Sequence, residues 1–158
     1  MMENQQNCLC GSGRSYAACC EPLHTGRQTA ADAEALMRSR YCAYVLQHID
    51  YIVETTVPVQ QHLLDKRALR SWSENTRWLG LTVLKHIPHI GKIHAQVEFV
   101  ARFQEDGEAC EHHELSAFVL IGGRWYFIDP TVPLPTMKQP CFCGSGKKFK
   151  ACCGQFFK

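Results

Sequence analysis

The chain has no run of about 18 apolar residues, so no segment is expected to span a membrane. Its opening, MMENQQNC, lacks the apolar stretch of a secretory signal. The expectation is a cytoplasmic protein, in a reducing compartment where structural disulfides are rare. No G-x-S-x-G, no H-E-x-x-H and no phosphate-binding glycine loop occurs, so enzymes of those kinds have no signature here. Acidic residues are also missing from Met137 onward, where Lys138, Lys147, Lys148, Lys150 and Lys158 stand unopposed. The net charge is only +2, and the first 28 residues balance Glu3 and Glu21 against Arg14 and Arg27, so the basic excess belongs to the far end. What the 158 residues do have is 46% apolar and 10% aromatic content, enough for one folded core with small appendages.

They also have ten cysteines, which under reducing conditions call for metal ligation before disulfides. Eight fall in two copies of C-x-C-x(8)-C-C: CLCGSGRSYAACCE from Cys8 and CFCGSGKKFKACCG from Cys141. Cys8, Cys10, Cys19 and Cys20 form one set, and Cys141, Cys143, Cys152 and Cys153 the other. Four thiolates are what a closed tetrahedral zinc site takes. The C-x-C pair puts two side chains on one side of a short extended segment. Gly-Ser-Gly then lets the backbone fold back, with amides free to point at sulfur. RSYAAC or KKFKAC is expected to form about one helical turn, returning the last two cysteines to the ion. Neighbours on a regular helix point roughly 100° apart, so adjacent cysteines converge only where the turn ends. Two zinc ions, one per copy, are the expected cofactors; an iron–sulfur cluster uses the same ligand atoms and is left open by spacing. Bound zinc contributes on the order of 10–16 kcal/mol to knuckles of this size. Chelation is therefore expected to disorder both ends and spare the middle.

The C-terminal copy resembles the SEC-C motif, the zinc-binding tail of the bacterial preprotein translocase ATPase. The match covers both cysteine pairs, Gly144 to Gly146, and the basic-aromatic Lys147-Lys148-Phe149. The N-terminal copy departs from it: Leu9 replaces the usual proline, Arg14-Ser15 a lysine pair, and Ala18 a common lysine or polar residue. Beyond the motifs, CCEPLHTGRQTAADAEALMRSRYCAYV and HHELSAFVLIGGRWYFID resemble the YchJ-like family of uncharacterised bacterial proteins. That resemblance spans nearly the whole chain. It implies SEC-C motifs around a nuclear-transport-factor-2-like, cystatin-type α+β domain, and it supplies no established activity.

The middle reads the same way from its own pattern. Thr29 with Asp32 suggests a capping box, followed by an apolar face of Ala33, Leu36, Met37, Tyr41, Tyr44 and Val45. Asp50 is expected to cap a second helix that stops before Pro58, and Asp65 a third that turns Ala68, Leu69 and Trp72 inward. After Trp78 the period becomes two. Ile93, Ala95, Val97, Phe99, Ala101 and Phe103 share one face, and His94, Gln96, Glu98 and Arg102 the other. EDGE at Glu105–Glu108 is read as a turn, leading to a strand from about His112 to Ile121, with a hairpin at Gly122-Gly123. The expected architecture is three helices on a curved four-stranded antiparallel sheet. Knuckles at 1–28 and 136–158 flank a core at 29–135, and Pro130, Pro133, Pro135 and Pro140 stiffen the connector.

Two functions follow. The first is an adaptor that uses its knuckles as rigid surfaces; the SEC-C resemblance implies chaperone or ribosomal partners, and the lysines of the C-terminal copy suit an acidic protein face or RNA phosphates. The alternative is a small-molecule isomerase, dehydratase or hydrolase using a pocket of the core, with Arg40, Tyr44, Glu98, His113 and Glu114 as candidate catalytic residues. No motif fixes their mutual geometry, and a wet strand edge explains Glu111 to Glu114 equally well. Cys42 reads as an ordinary buried thiol among aromatics. Similar folds often pair through their sheets, so a homodimer is a further expectation.

Overall fold

The computed structural model describes residues 7–157. Among them, helices α1 (Glu21–His24), α2 (Ala33–Leu46), α3 (Ile49–Glu54) and α4 (Lys66–Asn75) precede strands β1 (Arg77–Ile90), β2 (His94–Glu105), β3 (Glu108–Ile121) and β4 (Arg124–Phe127). Single 3₁₀ turns occupy Tyr16–Ala18 and Phe149–Ala151 in the two repeats. The expected α+β architecture is present, with one extra helical turn, α1, inside the N-terminal repeat.

Local chemistry sets the helix starts. Asp32 itself is the N-cap of α2, its carboxylate accepting from the Ala35 amide at 2.8 Å, so the start lies three residues later than a Thr29 cap would put it. Asp65 caps α4 in the same way through Ala68. Asp50 does not cap α3; it sits in the first turn, where its charge faces the positive end of the helix. Helix α4 turns less inward than its pattern suggests: Ala68 and Trp72 are exposed, Leu69 is half-buried and Ser73 is buried.

The sheet is a simple antiparallel meander, β1-β2-β3-β4. The β2–β3 and β3–β4 hairpins use left-handed residues at the tip: Asp106 and Gly107 (φ 51° and 82°), and Gly122 and Gly123 (φ 58° and 82°). Strand β3 begins at Glu108, four residues before the expected start, because the tight Asp106-Gly107 turn lets pairing resume at once. Facing partners share a side of the sheet. Val97 faces Ser116 and Ala95 faces Phe118, and this side packs on α2 through Leu36, Met37 and Tyr41. His94 faces Val119 and Gln96 faces Ala117 on the opposite, outer side.

The two sheet edges are finished differently. Along β4, the Val57 amide donates to Phe127 O and the Phe127 amide donates to Thr55 O, at 2.9 and 2.8 Å. One step on, the buried Gln60 amide imitates a strand, donating to Asp129 O at 2.8 Å and accepting from its amide at 3.0 Å. Along β1, pairing is interrupted between Trp78 and Gly80, Val83 and Lys85, and Ile87 and Ile90.

Candidate metal centres

The two repeats fold alike, bond for bond. Cys8 N donates to Arg14 O at 2.7 Å, and Cys141 N donates to Lys147 O at 2.8 Å. Each turn closes through its first glycine, Gly11 N to Cys8 O and Gly144 N to Cys141 O. Gly11 and Gly13 hold φ of 81° and 86°, and Gly144 and Gly146 of 82° and 84°, values that only glycine takes without strain. The 3₁₀ turn then ends abruptly at the third cysteine, with φ/ψ of −117°/−92° at Cys19 and −135°/−117° at Cys152. That break lets adjacent sulfurs converge, Cys19 and Cys20 lying 3.8 Å apart.

Within each set of four cysteines, all sulfurs lie within 4.8 Å of one another. Cys10 and Cys19 are 3.6 Å apart, and Cys143 and Cys152 3.5 Å. A tetrahedron with Zn–S bonds of about 2.3 Å has edges of about 3.8 Å, so one ion fits either cage. An iron–sulfur cluster divides its cysteines among two or more irons bridged by sulfides, which requires a wider spread of the four sulfurs than this. The residues present fit a single thiophilic ion.

Electrostatics lead to the same conclusion. Burial pushes the Cys8 thiol up to about 12, while a hydrogen bond from Cys20 pulls Cys10 down to about 4. Cys20 is driven far up, first by its hydrogen bond to Cys10. In the other cage, burial raises Cys152 to about 11 and lifts Cys153 further. Burial also pushes on Cys143, but hydrogen bonds from Ser145 and Cys152 outweigh it and leave that thiol lowered. Without a cation, Cys8 and Cys20 in one cage and Cys152 and Cys153 in the other hold their protons, and binding a metal means expelling them.

Second contacts tune the sulfurs. Ser12 Oγ lies 3.1 Å from Cys19 Sγ, and Ser145 Oγ donates to Cys152 Sγ at 3.1 Å. Each cage then meets the core through a different residue. At the C-terminal cage His94 Nε2 is 3.3 Å from Cys153 Sγ, and Gln155 Nε2 donates to His94 Nδ1 at 3.5 Å. Burial keeps this imidazole neutral, and with Nδ1 accepting, Nε2–H is the donor to sulfur. At the N-terminal cage Cys42 Sγ, fully buried on α2, lies 3.9 Å from Cys8 Sγ. Arg38 donates to Cys10 O at 2.8 Å, and His24 links the knuckle to α2, its Nε2–H donating to Ser39 O and its Nδ1 accepting from Tyr16 OH, both at 2.8 Å.

Three of these core contacts escaped the sequence. His94 shares its face of β2 with Gln96 and Glu98, as the alternation predicts, but nothing in that alternation shows that the C-terminal knuckle covers it. Cys42 has no spacing relation to either repeat, and His24 has no motif. Phe149, by contrast, is the knuckle's own core, 1% exposed and flanked by Phe142 and Phe157.

The candidate catalytic residues are divided by the sheet. Glu98 and His113 are hydrogen-bonded at 2.6 Å on the outer side, with His113 exposed. Glu114 faces Phe99 on the helix side and pairs with His112 at 2.7 Å. Arg40 is buried in α2 and has no carboxylate partner: it donates to Ile52 O at 2.8 Å and Thr55 Oγ1 at 2.7 Å, with its guanidinium 4.3 Å from the Phe127 ring. Tyr44 stacks edge-on with Trp72 at 5.4 Å, in an aromatic group with Trp78 and Phe103. The five residues do not converge on one pocket. A cavity of about 310 Å³ instead lies between the N-terminal knuckle and α3, among His24, Tyr51, Glu54 and Arg124.

Comparison with known proteins places these features in a lineage. Residues 32–130 match the model of the YchJ middle NTF2-like domain, and residues 6–22 and 137–155 match the SEC-C motif. A UPF0225 protein of Actinobacillus succinogenes is 56% identical over 149 residues, covering 94% of this chain and 97% of its own. A UPF0225 protein of Haemophilus influenzae strain Rd is 58% identical over 153 residues, covering 96% and 93%. The crystal structure of a SEC-C motif containing protein from Psychrobacter arcticus superposes with a TM-score of 0.89 at 46% identity, over 96% of this chain and 97% of that one. A solution structure of a SEC-C motif containing protein from Rhodopseudomonas palustris gives a TM-score of 0.73 at 46% identity, over 78% and 96%. With its NTF2-like middle and a four-cysteine SEC-C cage at each end, the chain belongs to the YchJ-like UPF0225 family.

Proposed function

We propose that the protein is a cytoplasmic, zinc-stabilised adaptor that offers the lysine-bearing face of its C-terminal knuckle to an anionic partner, the ribosome first among them. Zinc is the ion that suits four thiolates in a closed cage, and the reducing cytoplasm keeps those thiols available. The observation that carries the reading is the disposition of Lys138, Lys147, Lys148 and Lys150, all exposed on a knuckle whose sulfurs and Phe149 are buried. The His94–Cys153 contact and the Phe156 ring, 5.1 Å from His94, hold that face in a fixed attitude to the sheet. Fixed cations of this kind recognise phosphate or carboxylate surfaces and steer encounter.

Co-sedimentation with purified ribosomes tests this, comparing the wild type with Lys147→Glu/Lys148→Glu/Lys150→Glu. The expected result is binding that weakens steeply with salt and is lost in the triple variant, with zinc content unchanged. Equal sedimentation of the two proteins, or a response flat in salt, overturns the basic face as the contact.

A further inference from the structure

Five sulfurs, not four, are gathered at the N-terminal repeat. Cys42 belongs to α2, outside both repeats, yet it packs in one buried cluster with Cys8, Cys10 and Cys20. Its sulfur is 0% exposed and lies 3.9 Å from Cys8 Sγ, about the edge of a four-thiolate tetrahedron. Its sulfur touches a cage cysteine, so it is more than a small apolar filler.

The five are unequal. Cys8, Cys10 and Cys20 are 4%, 0% and 1% exposed, like Cys42, whereas Cys19 is half-buried at the rim. Cys19 also has polar neighbours of its own, Ser12 Oγ at 3.1 Å and Arg14 Nη2 at 3.7 Å, which can satisfy its sulfur away from an ion. The C-terminal cage offers no counterpart, since its core neighbour is the imidazole of His94. The motif supplies four ligands in both repeats; only the N-terminal one is seated on a further thiol.

We propose that Cys42 is a ligand in reserve for the N-terminal metal centre, able to complete a four-sulfur set with Cys8, Cys10 and Cys20 when Cys19 is away. This rests on the reading that the cage binds a divalent thiophilic ion. The chemical step is a ligand exchange: the Cys42 sulfur, as its thiolate, bonds to the metal, the Cys19 thiolate leaves, and one proton moves from Cys42 to Cys19 through solvent. No oxidant is involved. With Cys42 bound, the ion is attached directly to α2 and joins the knuckle to the core.

The experiment uses the full chain loaded with Zn²⁺, and in parallel with Co²⁺, whose sulfur charge-transfer absorption reports the number of thiolates. Cys19→Ser, Cys42→Ser and the double variant are compared with the wild type, with circular dichroism as a check of folding. Two ions per chain are expected for the wild type and for each single variant, and one for the double. Cobalt-loaded Cys19→Ser should keep the charge-transfer intensity of the wild type. Loss of one ion in Cys19→Ser, matching the double variant, overturns the reserve role while leaving the cage intact as a metal site. Two ions with one thiolate's worth of absorption missing in Cys19→Ser also overturns it, because water then fills the place. A wild type that takes up no ion at all refutes the underlying metal reading instead.

Discussion

The two knuckles are nearly identical inside and unlike outside. Both use the same glycines, the same serine-to-sulfur contact and the same broken turn at the third cysteine. The N-terminal one rests on α2 and forms a cluster of cysteines with Cys42 and Tyr16. The C-terminal one covers the outer side of the sheet, where its four sulfurs share a hydrophobic cluster with Val57, Ala117, Val119 and Ile128. A repeated sequence thus fixes a cage, while the surface beneath decides how far loss of that cage spreads. Within the expectation that chelation disorders both ends and spares the middle, loss of the C-terminal cage is the one that should reach into the core.

The largest contrast should come from breaking one cage at a time. Cys143→Ser is expected to lower the unfolding temperature of the whole protein well beyond Cys10→Ser, since it uncovers Val119 and Ile128, each fully buried now. Equal shifts in differential scanning calorimetry would refute the asymmetry. Next in size is Gly154, which directly follows the C-terminal cysteine pair. A Cβ there would stand 2.6 Å from the Phe149 ring and its carbonyl, so Gly154→Ala should cost about 1–3 kcal/mol in chemical denaturation. Glu21, the corresponding residue of the first repeat, tolerates its side chain, and Glu21→Ala should change stability little. Third, His94→Phe removes the N–H donor to Cys153 and should weaken C-terminal metal binding about 10- to 100-fold against a competing chelator, with the N-terminal site unaffected.

The smallest effect concerns pH. Burial lowers the His24 pKa beneath the 6.5 of a free ring, with the nearby His48 adding to it. The unfolded chain then binds the proton better than the folded one. The stability that neutral His24 gives to the N-terminal dock is complete above 6.5 and declines as pH falls below it. Ring NMR should place the His24 midpoint below 6.5, and His24→Gln should flatten the acid side of the stability profile.

Much of this was legible from residues alone, and the reason is periodicity. The cage follows from spacing, the meander from a period of two, and the tips of the last two hairpins from Asp-Gly and Gly-Gly. What could not be read was docking. Nothing in KIHAQVEFV says that the outer side will be covered near His94 and wet near Glu98, because that depends on where a connector of four prolines delivers the second knuckle. Likewise Trp72, which fits the apolar face of α4, ends 42% exposed because it packs edge-on against Tyr44 and Trp78 and leaves its far side in solvent. Arg40, a candidate for chemistry by residue type, is buried and solvated by carbonyl, hydroxyl and ring.

Gln60 carries a consequence for self-association. An open sheet invites another copy to add a strand wherever amides and carbonyls go unmatched. Here the short border strand is zipped shut by residues 55–57 and by one side-chain carboxamide, while the long border strand is roughened by its irregular pairing. Removing that carboxamide would leave most of the fold in place but reopen a template for fibril-like stacking, so crowding would reveal the lesion before heat did.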